Sequence, residues 1–145
     1  MELTDTEAEY LLKLEKHCEE DKTFEYPFQG GKITIPLVSV DKREEFLLDV
    51  NRMRVNLAKN TFQNRARKSI ILARLDLGCP PHRNPDGKEI SAPHIHIYKE
   101  GFGDKIAYEL PDVFKDCKSI PDYLNCFLDY CNITKKPNIE MGLFV

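Results

Sequence analysis

The sequence predicts an α+β fold: a single antiparallel, twisted sheet of five or six strands, with an N-terminal and a C-terminal helix packed on one face. Three observations carry this expectation. Short segments of alternating polar and apolar residues follow one another between residues 32 and 110. Helical spacing of apolar residues appears only near the two ends. At 145 residues, the chain has the size of a single domain spanning 1–145, large enough to bury about two-thirds of its unfolded surface.

Each element has its own local reason. Thr4-Asp5-Thr6-Glu7 has the spacing of a capping box, in which Thr4 accepts from the backbone and Glu7 reaches back. The helix it opens is expected from Asp5 to about Asp21, with Ala8, Leu11, Leu14 and Cys18 on one side and His17 at the surface. Gly30-Gly31 breaks the chain, and Lys32 to Val38 alternates as a strand in which Pro36 favours an edge position. Asp41 to Asp49 admits two readings, a helical turn from the Asp41/Glu44 spacing or a strand starting at Phe46-Leu47-Leu48. Met53 to Leu57 and, more weakly, Phe62 to Arg67 alternate as strands, and Ser69 to Leu77 does so strongly. Prolines 80, 81 and 85 with Asp86-Gly87 exclude regular structure from the loop after Gly78. His94 to Lys99 and Lys105 to Leu110 read as two more strands joined by Glu100-Gly101-Phe102-Gly103-Asp104, with Phe102 expected to pack inward. Pro121 opens a helix over Asp122–Cys131 with Tyr123, Phe127 and Tyr130 as a core stripe, and Ile139 to Val145 offers one further strand.

Composition limits the functional classes. The N-terminal Met-Glu-Leu-Thr-Asp-Thr-Glu is acidic where a secretory leader needs a basic segment, and no apolar run approaches the roughly 18 residues of a membrane span. Five cysteines without a framework-like spacing agree with a reducing compartment. Cys18, Cys117, Cys126 and Cys131 read as small buried apolar residues. The expectation is a cytoplasmic protein with no membrane partner.

The chemistry concentrates in Pro93-His94-Ile95-His96-Ile97-Tyr98, which holds two of the four histidines. On a strand His94, His96 and Tyr98 share one face while Ile95 and Ile97 take the other. Two adjacent imidazoles that titrate near neutral pH suit proton transfer, phosphate contact or metal ligation. Arg74 and Asp76 are likewise neighbours on one face of the preceding strand, and the loop between the two strands carries His82 and Arg83. The second signal is charge. Met1 to Glu25 holds nine acidic and three basic residues, whereas Val50 to Arg74 holds seven basic residues and no acidic one. Arginines 52, 54, 65 and 67 dominate that stretch and match bidentate phosphate recognition.

The runs Ile71 to Asp76, Pro81 to Gly87 and Pro93 to Gly101 resemble a family of small uncharacterised bacterial and phage proteins, over roughly Ile70 to Asn132. That resemblance implies no particular activity. At the level of motif alone, the Arg-x-Asp strand, the loop histidine and the His-x-His strand are similar to small sheet-based ribonuclease toxins of toxin–antitoxin pairs. The chain differs from them in a longer N-terminal helix and an added C-terminal helix.

Three functional expectations follow. In the first, a metal-independent ribonuclease without cofactor, His94 and His96 serve as base and acid, or one of them pairs with His82. Asp76 then orients an imidazole, Arg74 meets a phosphate, and Tyr98 stacks on a base or donates a proton. Arg52, Arg54, Arg65, Arg67, Arg83, Lys99 and Lys105 bind the RNA or other nucleic acid. In the second, Cys79, His82, His94 and His96 form a zinc site. In the third, a non-enzymatic phage or mobile-element protein binds a host protein, a small antitoxin or nucleic acid, with Phe102 as an exposed anchor.

Overall fold

A computed structural model describes residues 2–54 and 58–142. The fold is α+β, with two α-helices and a mostly antiparallel main sheet of eight strands rather than five or six. In chain order the elements are α1 (Asp5–Lys13), β1 (Lys16–His17), β2 (Thr23–Glu25), β3 (Lys32–Ser39), β4 (Glu45–Arg52), β5 (Asn60–Ala66), β6 (Ile70–Leu77), β7 (His82–Arg83), β8 (Glu89–Ile90), β9 (His94–Ile97), β10 (Ala107–Tyr108), α2 (Ile120–Tyr130), β11 (Ile133–Lys135) and β12 (Asn138–Glu140). The main sheet runs β10-β9-β6-β5-β4-β3-β1-β11. Its first six members are an antiparallel meander in chain order. The two additional strands, β1 and β11, pair in parallel with each other and are too short for alternation to show.

The capping box forms as the sequence implies, with the Thr4 hydroxyl accepting from Glu7 N at 3.1 Å and Glu7 Oε1 accepting from Thr4 N at 2.9 Å. The helix nevertheless stops at Lys13 instead of Asp21, because Leu14 turns to extended backbone (ψ 136°) and Lys16-His17 joins the sheet. His17 is therefore a strand residue, held to Glu15 at 3.1 Å. Lys16 explains the early stop. Its side chain is fully buried, and Nζ donates to the carbonyls of Leu12 (2.7 Å), Leu14 (2.9 Å) and Cys131 (2.8 Å). One ammonium thus satisfies carbonyls at the ends of both helices. Burial draws it down to about 8, which leaves it charged at neutral pH. Replacing it by methionine keeps the stem but takes the donor from three carbonyls, that of Cys131 fully buried. Lys16→Met is expected to cost about 3 kcal/mol in urea denaturation, and a loss below 1 kcal/mol would show that the carbonyls find water instead.

Asp41 to Glu44 is a turn, in which Asp41 accepts from Ser39 Oγ (2.6 Å) and Arg43 N (3.0 Å), and β4 follows it. Met53 and Arg54, expected to begin a strand, lie beyond the end of β4, and positions 55–57 of that expected strand lie outside the described residues. Pro36 sits on the stretch of β3 that β1 leaves unpaired, since β1 meets only Val38 and Ser39. The expected C-terminal strand is the short β12, parallel to β2, and 143–145 lie outside the described residues.

One sheet face is apolar and carries both helices. Ile35, Leu48, Val50, Phe62, Leu75 and Ile95 are buried there with Ala8 and Leu11 of α1 and Leu124, Phe127 and Leu128 of α2. The ring of Phe62 lies 6.3 Å from Phe127 and 6.4 Å, edge to face, from Tyr26. The opposite face is polar. Register pairing lines up Thr34, Asp49, Gln63, Arg74 and His96 in one row across five strands.

Candidate functional site

β6 and β9 pair so that Arg74 stands opposite His96 and Asp76 opposite His94. Alternation puts all four on the polar face, because Leu75 and Ile95 occupy the core side of the same pairs. The imidazoles are nevertheless 1% exposed. They are covered by two loops, 78–93 and 98–106. Asn84 anchors the first, its side-chain amide donating to Ala107 O (2.9 Å) and its carbonyl oxygen accepting from Ala107 N (2.8 Å). It thereby extends the sheet edge beside β10 and brings the β7–β8 hairpin over the histidines.

The three rings cluster. His82 lies 4.7 Å from His96 and 6.0 Å from His94, and His94 lies 5.1 Å from His96, centroid to centroid. Their ring nitrogens are committed differently. His82 Nε2 donates to the carbonyl of Lys105 at 2.8 Å, and His96 Nδ1 donates to that of Asp104 at 2.8 Å. A carbonyl only accepts, so these contacts assign the protons to those nitrogens. In the neutral ring His96 Nε2 then carries a lone pair, and it faces Asp76 Oδ2 at 3.2 Å. His94 Nε2 lies 3.5 Å from the same oxygen and 3.8 Å from Cys79 Sγ. The 3.2 Å approach of His96 Nε2 to Asp76 has the distance of an ion pair but not the alignment of a good hydrogen bond, and the Ser91 backbone supports His94.

Arg74 holds Asp76 from the other side, Nε to Oδ1 at 2.9 Å and Nη2 to Oδ2 at 3.1 Å, and reaches Asp104 Oδ2 at 2.7 Å. Burial alone would raise the Asp76 carboxyl, but His96 and Arg74 outweigh it and hold the group at about 2. Burial lowers His94 from its ordinary value, with Asp76 opposing and His96 and His82 adding to the shift. Among the described residues, Asp76, His94 and His96 are the cluster with metal-ligand chemistry, their ligand atoms all within 4.8 Å of one another. Of the four residues that the sequence reading grouped as a zinc site, this cluster holds His94 and His96 but neither Cys79 nor His82.

Other expected site residues lie elsewhere. β9 ends at Ile97, and the Tyr98 hydroxyl donates to Leu3 O and accepts from Leu3 N, both at 2.8 Å, pinning the N-terminal segment. Lys99 pairs with Asp5 at 2.9 Å. Arg83 and Lys105 are exposed near His82. The basic stretch does not form one surface. Arg65 binds buried Asp49, Arg67 pairs with Glu44 at 3.5 Å, and Arg74 is spent on Asp76 and Asp104. Arg52 stands opposite Asn60 at one end of the β4–β5 pair while Arg65 stands opposite Leu47 near the other, and Arg54 lies past the strand end. Phe102 is 40% exposed and does not pack inward. A groove of about 620 Å³ lined by Pro36, Leu37, Phe46, Leu47, Arg65 and Lys68 sits on β3 and β4, three strands from the histidines.

Sequence reasoning missed Asp104 and Asn84 as supports of the site. Asp86-Gly87 marked only a turn, and nothing local says that Asn84 pairs with a strand 23 residues away. No helix among the described residues is long and apolar enough to cross a membrane. Neither the curated proteins nor the solved structures contain a match to this chain. One family does match, over residues 3–133, and so takes in both helices' packing faces, β6, β9 and the whole histidine cluster: the chain belongs to the Family of unknown function (DUF6978).

Proposed function

We propose that the chain is a metalloprotein whose centre uses Asp76 Oδ2, His94 Nε2 and His96 Nε2, with Cys79 Sγ as fourth ligand. The observation that carries this reading is the convergence of His96 Nε2 and His94 Nε2 on one carboxylate oxygen, at 3.2 and 3.5 Å, with His96 Nδ1 already committed to a backbone carbonyl. A proton on His96 satisfies one of these contacts, whereas a metal ion satisfies the carboxylate and both imidazoles at once. Separations of 3.2 and 3.5 Å from Asp76 Oδ2 to the two imidazole nitrogens suit a common ion at about 2.0–2.3 Å from each, with Cys79 Sγ at the margin of the cluster, 3.8 Å from His94 Nε2. The outer contacts agree. His96 donates its other nitrogen to a backbone carbonyl, the arrangement that fixes a ligating imidazole, and Arg74 fixes the carboxylate. Mixed N, O and S donors favour zinc or cobalt over magnesium or calcium. Such an ion ties the 78–93 loop to the sheet and places a Lewis acid beside half-buried His82.

Metal analysis of the purified, reduced protein reloaded with Zn²⁺ or Co²⁺ tests the proposal. About one ion per chain is expected, lost in Asp76→Asn and His94→Ala. Cobalt should give a thiolate charge-transfer band that disappears in Cys79→Ser. A folded protein that takes up neither ion overturns it.

A second reading, metal-independent cleavage of RNA by the histidine pair, is favoured by the convergence of three imidazoles within 6.0 Å. Here His82 is the member that solvent reaches. The 1% exposure of His94 and His96 weighs against their direct contact with a 2′-hydroxyl. On this reading Cys79→Ser leaves RNA cleavage unchanged while His94→Ala and His96→Ala each remove it.

A further inference from the structure

We infer that Cys117 and Cys126 form a reversible intramolecular disulfide, a redox modification site distinct from the histidine cluster. Cys117 closes the short 3-10 turn Asp112–Phe114, its N–H donating to Phe114 O at 3.1 Å, and Cys126 lies on α2. Their sulfurs are 2.9 Å apart in the reduced state. That is about 0.9 Å more than a disulfide bond of about 2.05 Å, a gap that side-chain rotation can close.

The local structure makes the pairing deliberate rather than accidental. Ser119 and Asp122 cap α2 between the two cysteines, with Pro121 in its first turn, so the intervening chain has one conformation. Phe114 fastens the turn to the same helix, its ring 6.5 Å from Tyr123 and 6.0 Å from Tyr130. Both cysteines are half-buried and open to a small reagent, whereas Cys18 and Cys131 are buried. Burial and the neighbouring Cys126 push the Cys117 thiol up to about 12, so Cys117 rests as the thiol at neutral pH.

The chemistry is exchange with a low-molecular-weight disulfide. A thiolate of the pair attacks one sulfur of the reagent, forming a mixed disulfide as the reagent's own S–S bond breaks and one thiolate leaves. The neighbouring sulfur, losing its proton to solvent, then attacks the mixed disulfide and expels the second thiol. Two protein thiols are oxidised, and one reagent disulfide is reduced to two thiols.

Full-length protein incubated with oxidised glutathione tests this, read by free-thiol titration and peptide mapping. The free-thiol count should fall from five to three, with a cross-linked peptide pair containing Cys117 and Cys126 and a rise in Tm of roughly 5 °C that dithiothreitol reverses. In Cys117→Ser no cross-link should form, and Cys126 should accumulate as the glutathione adduct. Cys126→Ser should show the converse on Cys117. Retention of all five thiols, or a cross-link joining any other pair, overturns the inference. Mapping keeps any separate oxidation of Cys79 apart from it.

Discussion

Asp49→Ala should lower stability by about 3 kcal/mol. The carboxylate is fully buried on the polar sheet face and collects four donated hydrogen bonds: Arg65 Nε (2.5 Å) and Nη2 (2.9 Å), Gln63 Nε2 (2.8 Å) and Thr34 Oγ1 (2.7 Å). Removing it leaves a guanidinium whose side chain is only 21% exposed without its counter-charge, and two further donors without an acceptor. That residual exposure keeps the cost at the low end for a broken buried pair. Asp49→Asn retains the shape and should lose about 2 kcal/mol.

The pH dependence has a definite sign. Burial taken alone would raise the Asp49 carboxyl, but Arg65, Gln63 and Thr34 more than offset it, so the folded-state value is depressed. A depressed carboxyl stabilises the fold fully above the unfolded value of about 3.9, and that stability disappears as pH falls through the folded value. Urea midpoints measured from pH 6 downward should therefore decline below about pH 4, less steeply in Asp49→Asn. Parallel curves for the two proteins would assign acid sensitivity to other carboxylates.

Gly78→Ala should be as damaging, for a steric reason. Gly78 has φ +65°, and an added Cβ would lie 2.3 Å from Ala58 O, 2.5 Å from Ala58 C and 2.9 Å from Lys59 N. All three are backbone atoms, so no side chain can rotate away. Left-handed strain of about 1–2 kcal/mol and overpacking of about 1–3 kcal/mol together give roughly 3 kcal/mol. Gly101 is the control. It has φ +85° with open space around its Cβ position, so Gly101→Ala should lose only about 1 kcal/mol. Equal losses for the two variants would show that conformation and not contact governs Gly78. Since Gly78 directly precedes Cys79, the displaced loop should also weaken metal uptake in the first variant and not in the second.

The division of labour between local pattern and tertiary structure is visible in particular residues. Alternation over Ile70–Leu77 and His94–Ile97 sufficed to put Arg74 with Asp76, and His94 with His96, on one face of their own strands, because the side-chain period of a strand is a property of neighbouring residues alone, while the β6–β9 register brought the two pairs together. The capping box at Thr4 and the turn at Asp86-Gly87 are legible for the same reason. The length of α1 is not. Its end depends on Lys16 finding the carbonyl of Cys131, 115 residues away. Neither the two-residue β1 nor the three-residue β11 spans enough chain to show a period.

The pairing of the basic stretch was the least legible. Seven cations without an acid between them look like a surface for a polyanion, yet Arg65, Arg67 and Arg74 meet acids 16, 23 and 30 residues away. The sulfurs of Cys117 and Cys126 likewise meet only because a turn folds back on a helix. The sequence by itself determined which side chains share a face, where a helix begins and where the chain must turn, all governed by torsions and sterics within a few residues. Tertiary structure alone decided which charges are spent on one another, which imidazole nitrogens converge on one carboxylate and which thiols touch, because those depend on contacts between segments that only the packed core brings within a few ångströms.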